Sequence, residues 1–314
     1  MHTTVLLQEA VEALAIKSDG IYVDGTFGRG GHSRLILSKL GERGRLIAFD
    51  KDPVAVLAGE AIEDQRFCIR HGSFSRMQQM LQEMSVVRID GVLLDLGVSS
   101  PQLDEISRGF SFRAEGPLDM RMDTSDGQTA AEWLAAVTED ELCKVIKEYG
   151  EERFARQIAR AVVVARTRQP IVTTLQFAEI VSTVVRACQR QRENMRHPAT
   201  RTFQAIRIHL NQELEELSLA MPQCVALLNP SGRMVVISFH SLEDRLVKRF
   251  MRMAANADEL PRGVPLQEKD VRRFSRQTLK LIGRAVRPGE GEVAENPRAR
   301  SAVMRVAERI ALNG

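Results

Sequence analysis

The chain has 314 residues, of which 44 are Lys or Arg and 41 are Asp or Glu, so its formal net charge is only +3. With 44% hydrophobic residues, this composition excludes a disordered or polycationic chain. At roughly 150 residues per domain, the length predicts about two domains. A total charge this small does not identify a nucleic-acid partner, so only the local distribution of charge can indicate one.

In the first third of the chain, short strands alternate with helical patterns, which is typical of βαβ units and a parallel sheet. The segment from Gly30 to Leu40 is the first predicted helix, since its apolar residues recur at helical spacing. The almost wholly apolar centre of residues 90–95 suits a strand that is covered on both faces. The predicted strands are 21–24, 45–50, 67–70 and 90–95.

From Ser107 the sequence becomes Gly-rich and polar, and then shows only helical patterns. Strand patterns return at 232–238 and 301–307. We therefore predict an α/β fold in which an inserted all-α domain interrupts one sheet. The predicted segments are 1–106 and 203–314 for the sheet domain and 107–202 for the helical, RNA-recognition insert.

The sequence predicts a cytoplasmic protein without a membrane partner. The longest apolar runs are far shorter than the ~20 residues of a membrane-spanning helix, and the N-terminus has no secretory signal pattern. The cysteines are too far apart for C-x-x-C metal spacing, so we expect reduced thiols and no metal site.

Basic residues are concentrated in two segments. Residues 186–207 contain six arginines and one acidic residue, and residues 269–287 contain seven Lys or Arg and one acidic residue. A solvated helix face or loop accounts for either run alone. Two such runs in a chain of small net charge favour an anionic macromolecular partner.

The glycine-rich segment Asp24-Gly-Thr-Phe-Gly-Arg-Gly-Gly-His32 joins the first predicted strand to the first helix, where a tight turn lets a ligand approach the backbone. A dinucleotide site would need G-x-G-x-x-G, but the third glycine is missing after Gly28. The acidic residue before the glycines suits a ligand with cationic groups at the strand end. S-adenosylmethionine, with its amino group and sulfonium, is such a ligand.

Three further side chains follow predicted strands at the edge where ligands of open α/β sheets bind. Asp50 is placed to accept hydrogen bonds from ribose hydroxyls, or else it caps a turn. Phe74 is placed to stack on an adenine ring, or else it belongs to the core. With Asp95 and the glycine loop, these positions indicate a methyltransferase.

Six longer motifs together resemble the bacterial RsmH (MraW) family over essentially the whole chain. They occupy residues 24–33, 95–104, 108–112, 116–122, 197–205 and 238–244. The resemblance implies a Rossmann-like class I S-adenosylmethionine-dependent methyltransferase sheet. It also implies methylation of N4 of a cytosine in the decoding region (P site) of 16S rRNA in the small ribosomal subunit.

The same resemblance implies which residues contact the cofactor. For Asp50, Phe74 and Asp95 it agrees with the argument from strand ends. The oligomeric state stays open, with a homodimer among the alternatives. The implied S-adenosylmethionine contacts are Gly30, Gly31, His32, Asp50, Phe74, Asp95 and Gln102.

The catalytic group is less clearly indicated. The cytosine amino nitrogen is a poor nucleophile, so hydrogen-bond acceptors on N4 and a nearby carboxylate would assist transfer. Amino-methylating relatives use an Asp/Asn-Pro-Pro-aromatic motif after the fourth strand, but this chain has Asp95-Leu-Gly-Val98 there. Our hypothesis places Asp95, with Ser99 or Ser100 nearby, between cofactor and base. The alternative is that Asp95 binds only the cofactor amino group.

For the RNA, Arg196, His197 and Arg201 are the expected gripping residues, and His240 is expected to contact the RNA or the target base. Alternatively, residues 238–244 merely start a helix, with Ser241 as N-cap and Asp244 at N3. The alternative classes are a Rossmann oxidoreductase, a DNA or protein methyltransferase, and a non-catalytic ribosome-binding module.

Overall fold

The computed structural model describes residues 4–189, 197–256 and 277–311. Within these ranges, seven strands form one sheet in the order β3-β2-β1-β4-β5-β7-β6. Neighbouring strands from β3 to β5 are parallel, whereas β7 is antiparallel to both β5 and β6. The strands are β1 Ile21–Asp24, β2 Arg45–Asp50, β3 Phe67–His71, β4 Ile89–Asp95, β5 Leu228–Ser238, β6 Leu279–Leu281 and β7 Val303–Arg309.

This strand order confirms the predicted α/β fold, in which a helical unit interrupts one mostly parallel sheet. The central strands are covered on both faces, as the apolar run in residues 90–95 predicted. In β4, Leu93 packs into one core cluster while Val92 and Leu94 pack into another, and β5 alternates in the same way. The sheet is therefore the middle layer of an α/β unit.

The chain divides into two compact units, one formed by residues 1–97 and 214–314 and the other by residues 98–213. The helices assigned to the first unit are α1 Leu7–Ala13, α2 Gly31–Lys39, α3 Pro53–Glu60, α4 Met77–Glu83, α11 Glu213–Leu227, α12 Ser241–Ala255 and α13 Glu290–Glu295. Those of the second unit are α5 Ser100–Asp104, α6 Ala130–Ala136, α7 Glu139–Gly150, α8 Ala155–Arg166, α9 Thr174–Cys188 and α10 Thr200–Leu210. Among the described residues, no helix is long and apolar enough to cross a membrane.

The second unit extends beyond the segment 107–202 expected from the sequence, at both of its ends. At the start, Val98 and Leu103 pack against the core of this unit. At its end, α10 buries Phe203 and Ile206 in the same core. The apolar face of α10 therefore extends the helical unit past residue 202.

Buried hydrogen bonds hold together the loop of residues 116–122 in the second unit. The Asn211 side chain accepts a hydrogen bond from Met122 N at 2.7 Å and donates one to Met120 O at 2.8 Å. Arg108 Nη2 donates to the backbone oxygens of Arg121 and Met122 at 3.0 and 2.9 Å. Two of the motifs that carry the family resemblance, 108–112 and 116–122, thus have a structural role in this unit.

Asn211→Ala is expected to destabilise the protein by about 2–4 kcal/mol, because it leaves a buried N–H and a buried carbonyl of this loop without partners. The check is the midpoint of urea unfolding compared with Asn256→Ala, the same substitution at the exposed end of α12. We expect the Asn256 variant to lie within about 0.5 kcal/mol of wild type. Equal midpoints for the two variants would contradict this role of Asn211.

Candidate active site

Three carboxylates lie at one edge of the sheet because three adjacent parallel strands end in aspartate. Asp50 ends β2, Asp24 ends β1 and Asp95 ends β4, and β1 pairs with both of the other strands. This is the carboxyl edge, where ligands of open α/β sheets bind.

Asp24 is an internal anchor of the glycine loop. Its Oδ2 accepts a hydrogen bond from Ser33 Oγ at 2.6 Å and its Oδ1 accepts one from Thr26 N at 3.1 Å. Burial raises the pKa of Asp24 to about 6, and these two hydrogen bonds oppose the shift. Asp24 therefore fixes the loop against the first turn of α2, and its negative charge lies just beneath the edge.

The turn into α2 depends on two glycines that have no room for a side chain. Gly30 has φ 74°, and a Cβ on it would lie 2.6 Å from the Phe27 ring. A Cβ on Gly31 would overlap the Thr4 hydroxyl. The backbone can therefore approach a ligand closely here, which agrees with the reason for predicting these glycines as cofactor contacts.

Asp50 is oriented by two backbone amides. Gly28 N donates to its Oδ2 at 2.7 Å and Asp52 N donates to its Oδ1 at 2.9 Å. Burial raises the pKa of Asp50 to about 6 despite these hydrogen bonds. Each oxygen retains a lone pair, so the ionised carboxylate can accept two further hydrogen bonds from a ligand.

His32 and Asp95 face each other across the edge. His32 Nδ1 lies 3.7 Å from Asp95 Oδ2. Burial lowers the pKa of His32 to about 4, so its ring is neutral at physiological pH. Burial raises the pKa of Asp95 well above its usual range, and the charges of Asp24 and Glu243 raise it further.

His32 Nε2 and Asp95 Oδ1 are buried polar atoms at this edge for which the described residues provide no hydrogen-bond partner. Buried polar groups are normally satisfied, so each exception needs an explanation, and a polar partner that binds there is one. The carboxylates of Asp24 and Glu243 place negative charge around Asp95, since both raise its pKa. These carboxylate acceptors fit the cationic amino and sulfonium groups of S-adenosylmethionine, whereas they would repel a pyrophosphate.

Phe74 begins a short 3-10 helix directly after β3 and is partly buried. Its Cβ lies 3.2 Å from where a Cβ on Gly25 would be, so the side chain is beside the strand end of β1. Phe74 also packs against a core cluster of the first unit. Phe74 thus has the core contact of the alternative interpretation, and its stacking on an adenine ring stays a prediction.

Ser99 and Gln102 belong to the second unit, where they form a capping box at the start of α5. Gln102 N donates to Ser99 Oγ at 3.4 Å, and Ser99 N donates to Gln102 Oε1 at 2.9 Å. Ser100 is the first residue of that helix. The local function of these side chains is therefore to start α5, and their predicted roles at the cofactor and base stay predictions.

His240 caps helix α12, which corrects the alternative that placed Ser241 at the cap. His240 Nδ1 accepts a hydrogen bond from Glu243 N at 3.3 Å, and Glu243 Oε2 accepts one from His240 N at 3.2 Å. Glu243 Oε2 also accepts a hydrogen bond from Phe239 N at 2.7 Å. The histidine ring provides an acceptor as Ser or Asp would, a use that residue statistics for N-caps do not favour.

Phe239 is an aromatic residue of this edge that the sequence analysis missed. It follows β5 and lies 3.5 Å from where a Cβ on Gly97 would be, beside the turn that follows Asp95. The aromatic residue absent after β4 is thus found at the end of the neighbouring strand. The pairing of β4 with β5 was the signal that could have indicated it.

The first basic segment is only partly available for an anionic partner. Arg207 forms a bidentate ion pair with Glu213 at 2.7 and 2.8 Å, so its charge is neutralised within the second unit. Arg201 is exposed, and the exposed His197 ring stacks on Phe112 with centroids 4.4 Å apart. Arg196 lies outside the described residues, as do residues 269–276 of the second basic segment.

The strand order and the ligand-binding edge define a class I S-adenosylmethionine-dependent methyltransferase. Residues 1–310 match the MraW methylase family, and the chain belongs to that family. A protein of Nitrosospira multiformis named "Ribosomal RNA small subunit methyltransferase H" is 69% identical over 309 residues, which cover 98% of this chain and 97% of the relative. A Nitrosomonas europaea protein of the same name is 69% identical over 310 residues, covering 99% and 98%.

Proposed function

We propose that this protein transfers the methyl group of S-adenosylmethionine to N4 of a cytosine in the decoding region of 16S rRNA. The observation that carries the proposal is the negatively charged carboxyl edge, where His32 Nε2 and Asp95 Oδ1 are buried without partners in the described part of the chain. The resemblance to enzymes of the RsmH (MraW) family supplies the choice of N4 and of the decoding region.

Each predicted contact has a distinct task in this proposal. The ionised Asp50 accepts hydrogen bonds from the two ribose hydroxyls, since both of its oxygens keep a lone pair. Phe74 stacks on the adenine, and the backbone of Gly30 and Gly31 lies against the methionine part. His32 and Asp95 bind polar groups of that part. Gln102 is proposed as a cofactor contact on the basis of its motif alone.

Bound S-adenosylmethionine supplies an electrophilic methyl group. The protein has to hold the N4 lone pair in line with that group, because N4 is a weak nucleophile. The partner-free Asp95 Oδ1 is suited to accept a hydrogen bond from the N4 amino group or from the cofactor ammonium. Either contact stabilises positive charge at the edge of the sheet.

The rRNA is proposed to be bound as part of the small ribosomal subunit, in the cytoplasm where subunits assemble. A base in folded RNA has to be turned out of its stack to reach such an edge. The exposed Arg201 and the His197 ring stacked on Phe112 supply a cation and an aromatic surface for RNA in the second unit. Arg196 and His240 complete the proposed RNA contacts.

Cofactor affinity is expected to fall as the pH is lowered through about 6, because protonation of Asp50, with its pKa of about 6, removes the charged acceptor. Below that pH the affinity should decrease by up to about tenfold per unit. The measurement is the Kd of S-adenosylhomocysteine by calorimetry between pH 5 and pH 8. Asp50→Asn is the control, and its weaker binding should lose this part of the pH dependence.

The ligand-free protein should respond in the opposite sense. A carboxyl whose pKa is raised in the folded state contributes stability below its unfolded value of 3.8, and that contribution is lost as the pH rises through about 6. Asp24 has the same shift and adds to this pH dependence of stability.

A cofactor affinity that is flat from pH 5 to pH 7.5, or tightens in acid, would contradict this view of Asp50.

The proposed substrate is tested by incubating the protein with S-adenosylmethionine labelled in its methyl group. The acceptors are small subunits reconstituted from unmodified rRNA, the corresponding free rRNA, and large subunits as a control. We expect label in rRNA of the small subunit and none in the large subunit. Cofactor binding without label in any rRNA would contradict the proposed function.

A further inference from the structure

Helix α12 carries a basic stripe that neither of the basic segments in the sequence includes. Its exposed residues Arg245, Lys248, Arg249 and Arg252 are spaced i, i+3, i+4 and i+7. This spacing places four cationic side chains on one face of the helix, along about 10 Å of its axis.

The opposite face of α12 fixes the orientation of the stripe. Val247 and Met251 are buried, with 0% and 1% of their surface exposed, and they belong to the core cluster on one side of the sheet. Leu246 and Phe250 pack against the same cluster. The basic stripe therefore points away from the sheet.

The two acidic residues of α12 have partners outside the stripe. Glu243 is buried and is engaged by the backbone of Phe239 and His240. Asp244 forms a bidentate ion pair with Arg305 of β7, at 2.7 and 3.0 Å. Along α12, which is described throughout, every exposed charged side chain is basic. A merely solvated helix face usually mixes both signs.

The stripe leads toward the candidate active site. Helix α12 starts directly after β5, which pairs with β4 next to Asp95, and its cap residue His240 lies at the carboxyl edge. Arg245 is about one helical turn from that edge and Arg252 about three turns. A polyanionic strand along the stripe would therefore run up to the edge where the methyl group is transferred.

We infer that this stripe binds the phosphate backbone of the substrate rRNA, so that the first unit, which contains the sheet, contacts the RNA directly. The inference rests on the proposed function, since it takes rRNA as the partner. Contacts of this kind position the RNA without reading its sequence, and they make affinity strongly dependent on salt.

The test compares two double variants that change the charge equally. Lys248→Glu with Arg252→Glu reverses two charges of the stripe, whereas Lys39→Glu with Arg45→Glu reverses two exposed charges at the opposite, amino edge of the sheet. We expect the stripe variant to bind small subunits about tenfold more weakly or worse. The control variant should bind like wild type, and both should keep the wild-type Kd for S-adenosylhomocysteine.

The salt dependence gives a second readout with a milder variant. Lys248→Gln with Arg252→Gln should lower the slope of log affinity against log salt by about 2, one for each lost phosphate contact. If the charge-reversal variant loses cofactor affinity as well, the neutral variant decides whether the stripe binds RNA. Wild-type affinity and slope in both stripe variants, or equal loss in the control variant, would overturn the inference.

Three further outcomes are distinguishable. If wild type methylates small subunits while the stripe variants bind them normally, the inference fails and the proposed function stands. If wild type transfers no methyl group to rRNA, the proposed function fails first. Loss of binding to phosphatidylglycerol vesicles, with normal subunit binding, would overturn the inference in favour of an anionic membrane surface.

Discussion

Asp95→Ala is expected to lower methyl transfer to small ribosomal subunits at least about 100-fold, since it removes the acceptor at the reacting edge of the sheet. The measurement is single-turnover transfer of labelled methyl groups to subunits reconstituted from unmodified rRNA. Asp90→Asn is the matched control, because Asp90 lies on the same strand near its other end and is paired with Lys17. Activity of the Asp95 variant within a few-fold of wild type would exclude the role.

A further variant, Asp95→Asn, separates the two proposed roles of Asp95. If its carboxylate holds the cofactor ammonium, the Kd of S-adenosylhomocysteine rises in Asp95→Asn. If it accepts a hydrogen bond from N4 of the base, that Kd stays at the wild-type value while the rate of transfer falls. Both results keep Asp95 at the reacting edge, but they assign it to different partners.

Asp95→Asn should also stabilise the ligand-free protein at pH 7.5. Burial and the carboxylates of Asp24 and Glu243 raise the pKa of Asp95 well above its usual range. A raised carboxyl pKa means that the stability this group contributes in acid is lost as the pH rises, so at neutral pH an aspartate here stabilises the fold less than a neutral side chain of the same shape does. A higher Tm with lower activity would show that the site is held at a cost to stability.

Asp50→Ala is expected to weaken cofactor binding by about 10²–10⁴-fold, because it removes two hydrogen bonds to a charged acceptor at roughly 1.5–3 kcal/mol each. The Kd of S-adenosylhomocysteine measured by calorimetry at pH 7.5 is the check. The variant also leaves the amides of Gly28 and Asp52 without their acceptor. Thermal unfolding of the free protein therefore has to be measured alongside.

Asp64→Asn is the control for Asp50, since Asp64 is paired with Arg66 outside the site, in the turn before β3. Its cofactor affinity should equal that of wild type. If Asp50→Ala binds the cofactor within threefold of wild type, the ribose assignment is wrong. If it loses affinity only in proportion to a loss of folded protein, Asp50 has a structural role alone.

The parallel sheet was predictable from the sequence because each strand is a short, continuous apolar segment bounded by glycines and acidic residues. The predicted strands at 21–24 and 45–50 agree with β1 and β2. The carboxyl ends of parallel strands share one edge, so Asp24, Asp50 and Asp95 were expected together without knowledge of any contact. Their convergence in the structure follows from topology.

Other features depend on partners distant in sequence, and local patterns do not reveal them. β6 has only three residues and no alternation to detect. Arg207 counts as a surface charge in the sequence, but folding pairs it with Glu213. The position of Phe239 beside Gly97 requires the register of β4 and β5. The spacing of the basic residues on α12 is visible in the sequence. That they share one exposed face follows only once the helix and its buried face are known.

Nucleoside mass spectrometry of the reaction product tests the central claim most directly. Small subunits reconstituted from unmodified rRNA are incubated with the protein and S-adenosylmethionine, digested to nucleosides and compared with synthetic methylcytidines. The account predicts N4-methylcytidine, mapped to one cytosine of the decoding region. Methylation at cytosine C5, at a ribose hydroxyl or on another base would contradict it.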